Sequence, residues 1–431
     1  MQKPINTFPE YEYKDGKNMY RGVDLGFGGY VYAVPGMYSN VTMLDVANMH
    51  GASIVNLNLL GNYTQRYADL RIVRNCVKHK DFVTPRKMFN GKLAKYLVDE
   101  NEAESLSAAL KLPLNSLYGI TKAGFENAAR DSRNVNNIVA LRGALFMKTL
   151  QDEVEEKGFK VIHIKTDSIK IPNATQELID YCMQRANDYG YEFEHECTYD
   201  RICLINGSTY IAKYDDKGIR NKGGKHANDW VAVAEQFQVP YVFKTLFSKE
   251  PIEFKDKCEV FSVKEGDIYI DMNEGYPDVS MYEKDLKVIQ SKYKKGEVND
   301  TTYEKELARL EPEIEKGHNY IFVGRVGQFS PIKEGCGGGV LYRIKDGVKY
   351  AVQGTKGYRW LESEVVKSMN KEQDINEDYY IRLVDDAIVA IDKYGDFERF
   401  VSDEPYISDN FMDIPELPEG IEEIPFEEVK I

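Results

Sequence analysis

Residues 159–171 read FKVIHIKTDSIKI, and this stretch sets the expected fold. The β-branched and aromatic residues on either side of Lys165-Thr166-Asp167-Ser168 predict two short strands, and these four residues predict a tight turn between them. An antiparallel hairpin with Asp167 at its tip is therefore expected. Aspartate is also favoured in turns for conformational reasons alone, so the hairpin by itself leaves the role of Asp167 open.

A second aspartate ends another apolar run. Asp45 follows Val41-Thr42-Met43-Leu44, and an adjacent strand of the same sheet would bring its carboxylate close to that of Asp167. Two like charges at that separation repel unless cations bridge them, and oxygen ligands suit Mg²⁺. Two bridging ions would activate an attacking oxygen and stabilise a leaving one. The pair therefore indicates a site for two Mg²⁺ ions, with a purely structural turn as the alternative.

Polar residues at helical spacing form a third pattern. Within the mainly helical stretch 61–119, Arg74 and Lys78 are four residues apart, and so are Lys111 and Asn115. Residues at this spacing share one helix face. Two such helices facing each other could grip a triphosphate, with a planar arginine fork and lysine point charges. For any single lysine, the plainer interpretation is a solvated helix face.

Together these segments resemble three motifs of the family B DNA polymerases, in the order in which that family has them. KLPLNSLYG at 111–119 is similar to motif B, DVANMHG at 45–51 to motif A, and KTDS at 165–168 to motif C. Further matches are Gly28-Gly29, Glu196 and Thr209-Tyr210. The resemblance implies an α+β right-hand polymerase of phage type, with a mainly antiparallel palm sheet, fingers helices and a thumb.

The same resemblance implies a division of the chain. The expected regions are 1–60, a first palm segment with motif A; 61–122, fingers ending in motif B; 123–236, a second palm segment with motif C; 237–400, thumb and C-terminal region; and 401–431, an acidic tail. Local patterns add a hairpin of strands at 30–34 and 41–46, a helix over 135–154 and a helix over 282–316.

Roles for individual residues also follow from the resemblance. Asp45 and Asp167 would be catalytic and would hold two Mg²⁺ ions, helped by the carbonyl of Val46. The nucleotide-binding residues would be Arg74, Lys78, Lys111, Asn115, Tyr118, His50 and Thr166. The DNA-binding residues would be Gly28, Gly29, Tyr210, Lys213, Lys222 and Lys225. His50 stands where the family has a tyrosine that excludes the ribose 2′-OH, and an imidazole stacked beneath the sugar would do the same.

Several positions depart from the motifs. Lys165 stands where motif C has its first aspartate, Asn48 and Gly51 replace a serine and a proline of motif A, and Pro113 lies inside motif B. Ser208 stands where a lysine near the primer terminus is usual. In the family that first aspartate is the less essential of the two, so catalysis is expected to survive.

Two further hypotheses stay open beside the DNA polymerase. A primer-template-binding subunit with impaired catalysis, working with a partner chain, would show the same departures from the motifs. A two-metal nuclease would reuse the two aspartates, but it leaves Arg74, Lys78, Lys111 and Asn115 without a role. Forty-four residues precede Asp45, too few for the 3′–5′ exonuclease domain usual before motif A. Proofreading is therefore expected to be absent or on another chain of a phage replicase, if the chain is not truncated.

The net charge of −14 is unevenly distributed. Residues 401–431 contain ten acids and one lysine, or −9, whereas 61–100 contain nine basic residues and four acids, or +5. Basic islands of this kind permit binding to primer-template DNA. The acidic tail would keep the protein soluble or dock on a clamp or a separate exonuclease subunit.

The remaining composition narrows the class of protein. Six cysteines without C-x-x-C spacing argue against a zinc site or a disulfide framework and fit a reducing compartment. No apolar run approaches the roughly 18 residues that a membrane span needs. A cytoplasmic location is expected, in the host cytoplasm if the chain is phage-encoded.

Overall fold

The computed structural model of the chain describes residues 10–121, 123, 125–127, 137–218 and 227–407. These residues form helices and antiparallel sheets, so the expected α+β class is confirmed. In the described ranges, no helix is both long enough and apolar enough to cross a membrane.

The strands are numbered in chain order. They are β1 Tyr11–Lys14, β2 Lys17–Tyr20, β3 Val23–Asp24, β4 Val31–Ala33, β5 Gly36–Val46, β6 His163–Lys165, β7 Ser168–Pro172, β8 Phe193–Asn206, β9 Thr209–Tyr214, β10 Trp230–Val233, β11 Glu259–Ser262, β12 Asp267–Asp271, β13 Tyr320–Gly324, β14 Val326–Ile332, β15 Val340–Lys345, β16 Val348–Ala351 and β17 Arg359–Glu362.

The helices are numbered in the same way. They are α1 Met49–Asn56, α2 Thr64–Lys78, α3 Val83–Lys87, α4 Glu100–Thr121, α5 Ile138–Glu156, α6 Gln176–Tyr189, α7 Glu235–Gln238, α8 Pro240–Phe243, α9 Ser280–Lys294, α10 Asp300–Glu315, α11 Ser363–Ser368, α12 Asp378–Asp392 and α13 Phe397–Val401.

The described residues divide into two compact units. One contains the residues up to Ala234 together with those from Ala390 onward, and the other contains Glu235–Val389. The second unit holds a three-stranded sheet of order β11-β14-β17 and a four-stranded sheet of order β13-β12-β15-β16. Its hydrophobic core includes the fully buried Trp360. The assignment of these regions to palm, fingers and thumb stays a prediction.

A seven-stranded antiparallel sheet organises the first unit, with strand order β10-β9-β8-β5-β7-β6-β4. Strand β5 lies at its centre, between β8 and β7. Leu44 and Ile169 on neighbouring strands pack with Leu145 and Leu150 of α5 and Leu178 of α6 in one hydrophobic core. This buried layer fixes the position of the strands that carry the two candidate aspartates.

The predicted hairpin at 159–171 is confirmed, with a turn at Thr166 and Asp167 between β6 and β7. The predicted hairpin of 30–34 with 41–46 is wrong, because β4 pairs with β6 at the sheet edge. Alternating apolar residues identify a strand without identifying its partner. The Pro35-Gly36 step therefore carries the chain from the edge of the sheet to its centre.

The predicted helix over 135–154 is present as α5, shifted by a few residues. The single helix predicted over 282–316 is instead two helices, α9 and α10. Gly296 has a left-handed φ of 71° just after α9, and the side chain of Asn299 accepts a hydrogen bond from the N–H of Thr302. A left-handed glycine ends one helix and an asparagine cap begins the next, which accounts for the interruption.

Candidate active site

The sheet register brings the two predicted aspartates to one end of neighbouring strands. Asp45, near the end of β5, pairs with Ser168, the first residue of β7. Asp167 directly precedes β7, and its carbonyl accepts a hydrogen bond of 2.8 Å from the N–H of Val46. The turn that carries one aspartate is therefore bonded to the strand end that carries the other.

The environment of these carboxylates disfavours their charged forms. Burial raises the pKa of Asp45 to about 7, and the carboxylates of Asp167, Glu196 and Glu194 act in the same direction. Lys78 opposes this rise. Burial also raises the pKa of Asp167. Acids that repel each other in a largely buried site are stabilised when a cation binds between them.

Glu194 is a site residue that the sequence reasoning missed. It pairs directly with Asp45 across β8 and β5, and it is 8% exposed. Sequence matching had selected Glu196 instead. A β-bulge opposite Met43 and Leu44 leaves Glu196 without a register partner on β5. The Glu194-x-Glu196 spacing marks both as candidates for one face, but sequence alone does not reveal a bulge.

Cationic side chains line a cavity between the helices α2 and α4. Arg74, Lys78 and Lys111 contribute to its wall, as do Glu100 and Glu104, and its volume is about 330 Å³. A neighbouring cavity of about 250 Å³ shares Arg74 and Lys78 and is also lined by Asn48 and Glu194. Three of the four predicted triphosphate-binding residues therefore meet at one cavity. The fourth, Asn115, is exposed one turn further along α4.

An ion pair connects this cavity to the acidic end of the sheet. Lys78 Nζ donates a hydrogen bond of 2.5 Å to Glu194 Oε2, and His79 Nε2 lies 3.7 Å from Glu194 Oε1. Lys78 therefore stands between the acids and the cavity. Its ammonium has three N–H donors, so Glu194 and another anion in the cavity would share or compete for them.

Arg71 is a second residue that the sequence reasoning missed. It lines the smaller cavity, and burial lowers the pKa of its guanidinium. Within the part of the chain that the structure describes, the Nε atoms of Arg71 and Arg74 are buried and have no hydrogen-bond partner. The spacing of three residues on a basic helix was the available signal.

Two departures from motif A form a matched pair. Asn48 has a left-handed φ of 49° and caps α1, its Oδ1 accepting a hydrogen bond of 3.1 Å from the N–H of Gly51. A proline at position 51 would lack this donor. A Cβ atom there would also lie 2.7 Å from the Asn48 side chain. Asn48 and Gly51 therefore form the start of this helix together.

The aromatic residues of motifs A and B contact each other. His50 and Tyr118 stack with ring centroids 4.0 Å apart and an angle of 15° between the rings. Nearby, Gly29 has a φ of +127°, and a Cβ atom on it would lie 2.8 Å from Thr166 Cγ2. The Gly28-Gly29 loop thus packs against the motif C turn because position 29 has no side chain.

The other predicted DNA-binding residues are more dispersed. Tyr210 is only 7% exposed and lies in the core on one face of the sheet. Lys213 Nζ lies 3.4 Å from Asp403 Oδ1, so its charge is already paired. Lys222, Lys225 and the tail from residue 408 onward lie outside the described residues.

A buried lysine also lies close to the acids. Lys170 is 1% exposed, and its Nζ donates a hydrogen bond of 3.1 Å to His163 Nδ1. His163 Nε2 donates to the carbonyl of Gly207 at 3.2 Å, because a carbonyl only accepts. Burial lowers the pKa of Lys170 to about 8 and, together with Lys170, lowers that of His163 to about 4. Asp45 and Asp167 stabilise the charged lysine.

The donor set fits magnesium only if a ligand completes it. Among the described residues, no three histidine, cysteine, aspartate or glutamate side chains form a ready-made metal site. Magnesium is commonly held by one or two carboxylates together with substrate phosphates. Asp45 and Asp167, with cationic residues close by for phosphates, match that mode of binding.

Comparison with solved structures shows likenesses to known proteins. The chain is similar to a family B DNA polymerase from the hyperthermophilic archaeon Pyrobaculum calidifontis, with a TM-score of 0.41 and 14% sequence identity. The alignment covers 83% of this chain and 46% of that one, so the chain spans about half the length of the structure it matches. No family model matches the sequence, and neither does any curated protein.

Proposed function

We propose that the chain is a template-directed DNA polymerase of family B type, serving in a phage replicase. It would add a deoxynucleotide from a dNTP to a primer 3′-OH by two-metal phosphoryl transfer. One observation carries the proposal: Lys78 lines the cation-rich cavity and is also bonded to Glu194, the strand partner of Asp45. A group with several negative charges that is bound by Lys78 in the cavity would therefore lie close to Glu194, the residue opposite Asp45.

The cationic residues would bind the triphosphate. Arg74 would offer a planar fork, and Lys78 and Lys111 would offer point charges that offset the charge of the phosphates. Neutralising and orienting these groups is most of what phosphoryl transfer requires of a protein. Lys78 would exchange the Glu194 carboxylate for a phosphate, which keeps its ammonium paired before and after binding.

Asp45 and Asp167, with the Val46 carbonyl, would hold two Mg²⁺ ions. When bound, such ions lower the pKa of an attacking hydroxyl and stabilise a leaving oxygen. The aspartates would be ionised in that state, since a bound cation opposes the rise in their pKa values. His50 and Tyr118 would form the wall against the sugar and the nascent base pair.

A primer-template-binding subunit with impaired catalysis is the second candidate. The observation that favours it is the pair of lysines near the acids, Lys165 at the end of β6 and the buried Lys170. Cations so placed compete with metal ions for the carboxylates. The nuclease hypothesis has no corresponding support, because it leaves the cavity of Arg74, Lys78 and Lys111 without a role.

Primer extension separates the two candidates. The assay uses a recessed primer-template, Mg²⁺ and four dNTPs with the wild type, Asp167→Ala and the control Asp188→Ala, which alters an exposed carboxylate on α6. Extension by the wild type and the control, and none by Asp167→Ala, supports the polymerase. No extension by the wild type, with primer-template binding retained, contradicts it and favours the binding subunit.

A further inference from the structure

Asn137 joins two separate segments of the candidate site. Its Nδ2 donates one hydrogen bond of 2.6 Å to the carbonyl of Phe27 and another of 2.9 Å to the hydroxyl oxygen of Tyr118. A carbonyl only accepts hydrogen bonds, so the atom that faces Phe27 must be the amide nitrogen. Both N–H groups of the amide are therefore used, one on each segment.

The two bonded segments are those that contact the predicted nucleotide-binding residues. Phe27 immediately precedes the Gly28-Gly29 loop, which packs on Thr166 of the motif C turn. Tyr118 belongs to α4 and stacks on His50. A single amide thus connects the loop beside motif C to the aromatic pair of motifs A and B.

The residue type at position 137 meets two requirements at once. The backbone there is left-handed, with φ 56° and ψ 55°, immediately before α5. Asparagine tolerates this conformation better than most residues. Its short amide also supplies two donors to acceptors on different segments. Aspartate would keep the shape but lose the bond to the Phe27 carbonyl, since it could only accept one from the Tyr118 hydroxyl, and glycine would keep the backbone but lose the side chain.

The bond to Tyr118 acts at the far end of the ring. A hydrogen bond to the hydroxyl oxygen opposes a swing of the side chain about its first torsion angle, and the 4.0 Å stack with His50 fixes the plane of the ring. Each contact restricts a motion that the other leaves open. The orientation of the His50 imidazole therefore depends on the position at which Asn137 holds Tyr118.

We propose that Asn137 is a positioning residue for nucleotide selection. It would hold Tyr118 so that His50 keeps the orientation that excludes a ribose 2′-OH. This inference rests on the proposed polymerase function, since it concerns the sugar of the incoming nucleotide. It assigns to Asn137 a role that its position, 19 residues beyond Tyr118 and outside the three motifs, did not indicate.

The test is the ratio of kcat/KM for dCTP to kcat/KM for rCTP in single-nucleotide primer extension. Asn137→Gly should lower this ratio about 3- to 10-fold, the value of one neutral hydrogen bond. Asn137→Asp should lower it less, because the carboxylate loses the bond to the Phe27 carbonyl but can still accept one from the Tyr118 hydroxyl. Asn370→Gly is the matched control, an exposed asparagine at a left-handed position with φ 51°, and should leave the ratio unchanged.

A double-mutant cycle shows whether Asn137 acts through the tyrosine hydroxyl. Tyr118→Phe removes that hydroxyl and should lower the ratio on its own. Adding Asn137→Gly to Tyr118→Phe should then produce little further change, since residues that act through one contact are not additive. The ratio does not depend on the fraction of active enzyme, so a loss of folded protein alone does not move it.

Two results would overturn the inference while leaving the polymerase intact. One is wild-type discrimination in Asn137→Gly, and the other is full additivity with Tyr118→Phe. If Asn137→Gly does not fold, as judged by circular dichroism, Asn137→Ala, which also lacks both donors, decides by the same ratio. If the wild type adds neither dCTP nor rCTP to the primer, the proposed function is refuted, and this inference with it.

Discussion

The acidic end of the sheet and the cationic cavity are built in different ways. Asp45 lies on the central strand of a seven-stranded sheet, and backbone hydrogen bonds tie the turn of Asp167 to it. The cations lie on faces of α2 and α4, where Lys78 is 39% exposed and pairs with Glu194. The acids are placed by strand register, whereas the cations extend from helix faces and Lys78 is held by a side-chain ion pair.

This difference indicates a division of labour. Strand register fixes the backbone of Asp45 beside its acidic neighbours, so a cation that binds there changes the environment of the carboxylate. Lys78 is partly exposed and its flexible side chain can turn toward another anion, although the buried Glu194 carboxylate then needs another partner. The site therefore combines fixed acids with adjustable cations, and each half and the connection between them can be tested separately.

The largest effect is expected at the fixed acids. Asp45→Asn removes a negative charge without changing the size of the side chain, so the single-turnover rate of nucleotide addition should fall by about 10²- to 10³-fold or more. Primer-template binding should be unchanged. Rapid-quench extension checks this, with Asp188→Asn as the control. A rate within about threefold of wild type would show that Asp45 is not part of the chemistry.

A smaller effect is expected at the adjustable cations. Lys111→Met keeps the length of the side chain and removes its charge, so the dissociation constant of the dNTP should rise by about 10- to 100-fold, as for the loss of one charged hydrogen bond. The maximal rate should change less. The control is Lys92→Met, an exposed lysine before α4. Equal effects of the two substitutions would contradict a specific role of the cavity.

The ion pair between Lys78 and Glu194 connects the acidic end of the sheet to the cationic cavity. Its loss should have a modest effect on dNTP binding, opposite in sign to that of Lys111→Met. Glu194→Gln removes the carboxylate that competes for Lys78, so the dNTP should bind about 2- to 5-fold more tightly. The dependence of the rate on dNTP concentration measures this. Weaker binding in Glu194→Gln would indicate that Glu194 instead holds Lys78 in the position that binds phosphate.

The pH dependence of stability should reveal the crowding of the acids. Between the ordinary pKa of 3.8 and the folded value of about 7, the folded state binds more protons than the unfolded state. The contribution of Asp45 to stability therefore falls as the pH rises through that window and is constant above it. In EDTA, the Tm gain of Asp45→Asn over wild type should be larger at about pH 8 than at about pH 5, by roughly 2–4 °C.

Thermal unfolding at the two pH values checks this, with Asp188→Asn as the control. A Tm difference between Asp45→Asn and wild type that is independent of pH would show that the Asp45 carboxylate is not crowded in the folded protein.

Local sequence patterns predicted the portion of the site that depends on local structure. The turn at Asp167, the strand of Asp45 and the helical faces of Arg74 and Lys111 each follow from spacing and turn chemistry. Pairing between distant strands did not follow. The partner of β4, and the bulge that makes Glu194 the neighbour of Asp45, depend on the assembled sheet.

The hydrogen-bond partners of buried polar residues were the second feature that the sequence did not predict. Lys170 stands in the apolar context Ile169-Lys170-Ile171, which was a signal that its ammonium is buried. Its partner, His163, was identifiable only after β6 and β7 were paired in register. The role of the Asn137 amide was not predictable for the same reason, since its two acceptors lie far away in the sequence.

The most direct test is whether the acidic end of the sheet and the cationic cavity bind the same ligand. The measurement is the dissociation constant of a dNTP on a dideoxy-terminated primer-template, with and without Mg²⁺, for the wild type, Asp45→Asn and Lys111→Met. If the acids and cations share a triphosphate, Mg²⁺ should tighten dNTP binding in the wild type and in Lys111→Met, and should not do so in Asp45→Asn. Equal tightening by Mg²⁺ in all three proteins would contradict a metal site at Asp45 that the nucleotide completes.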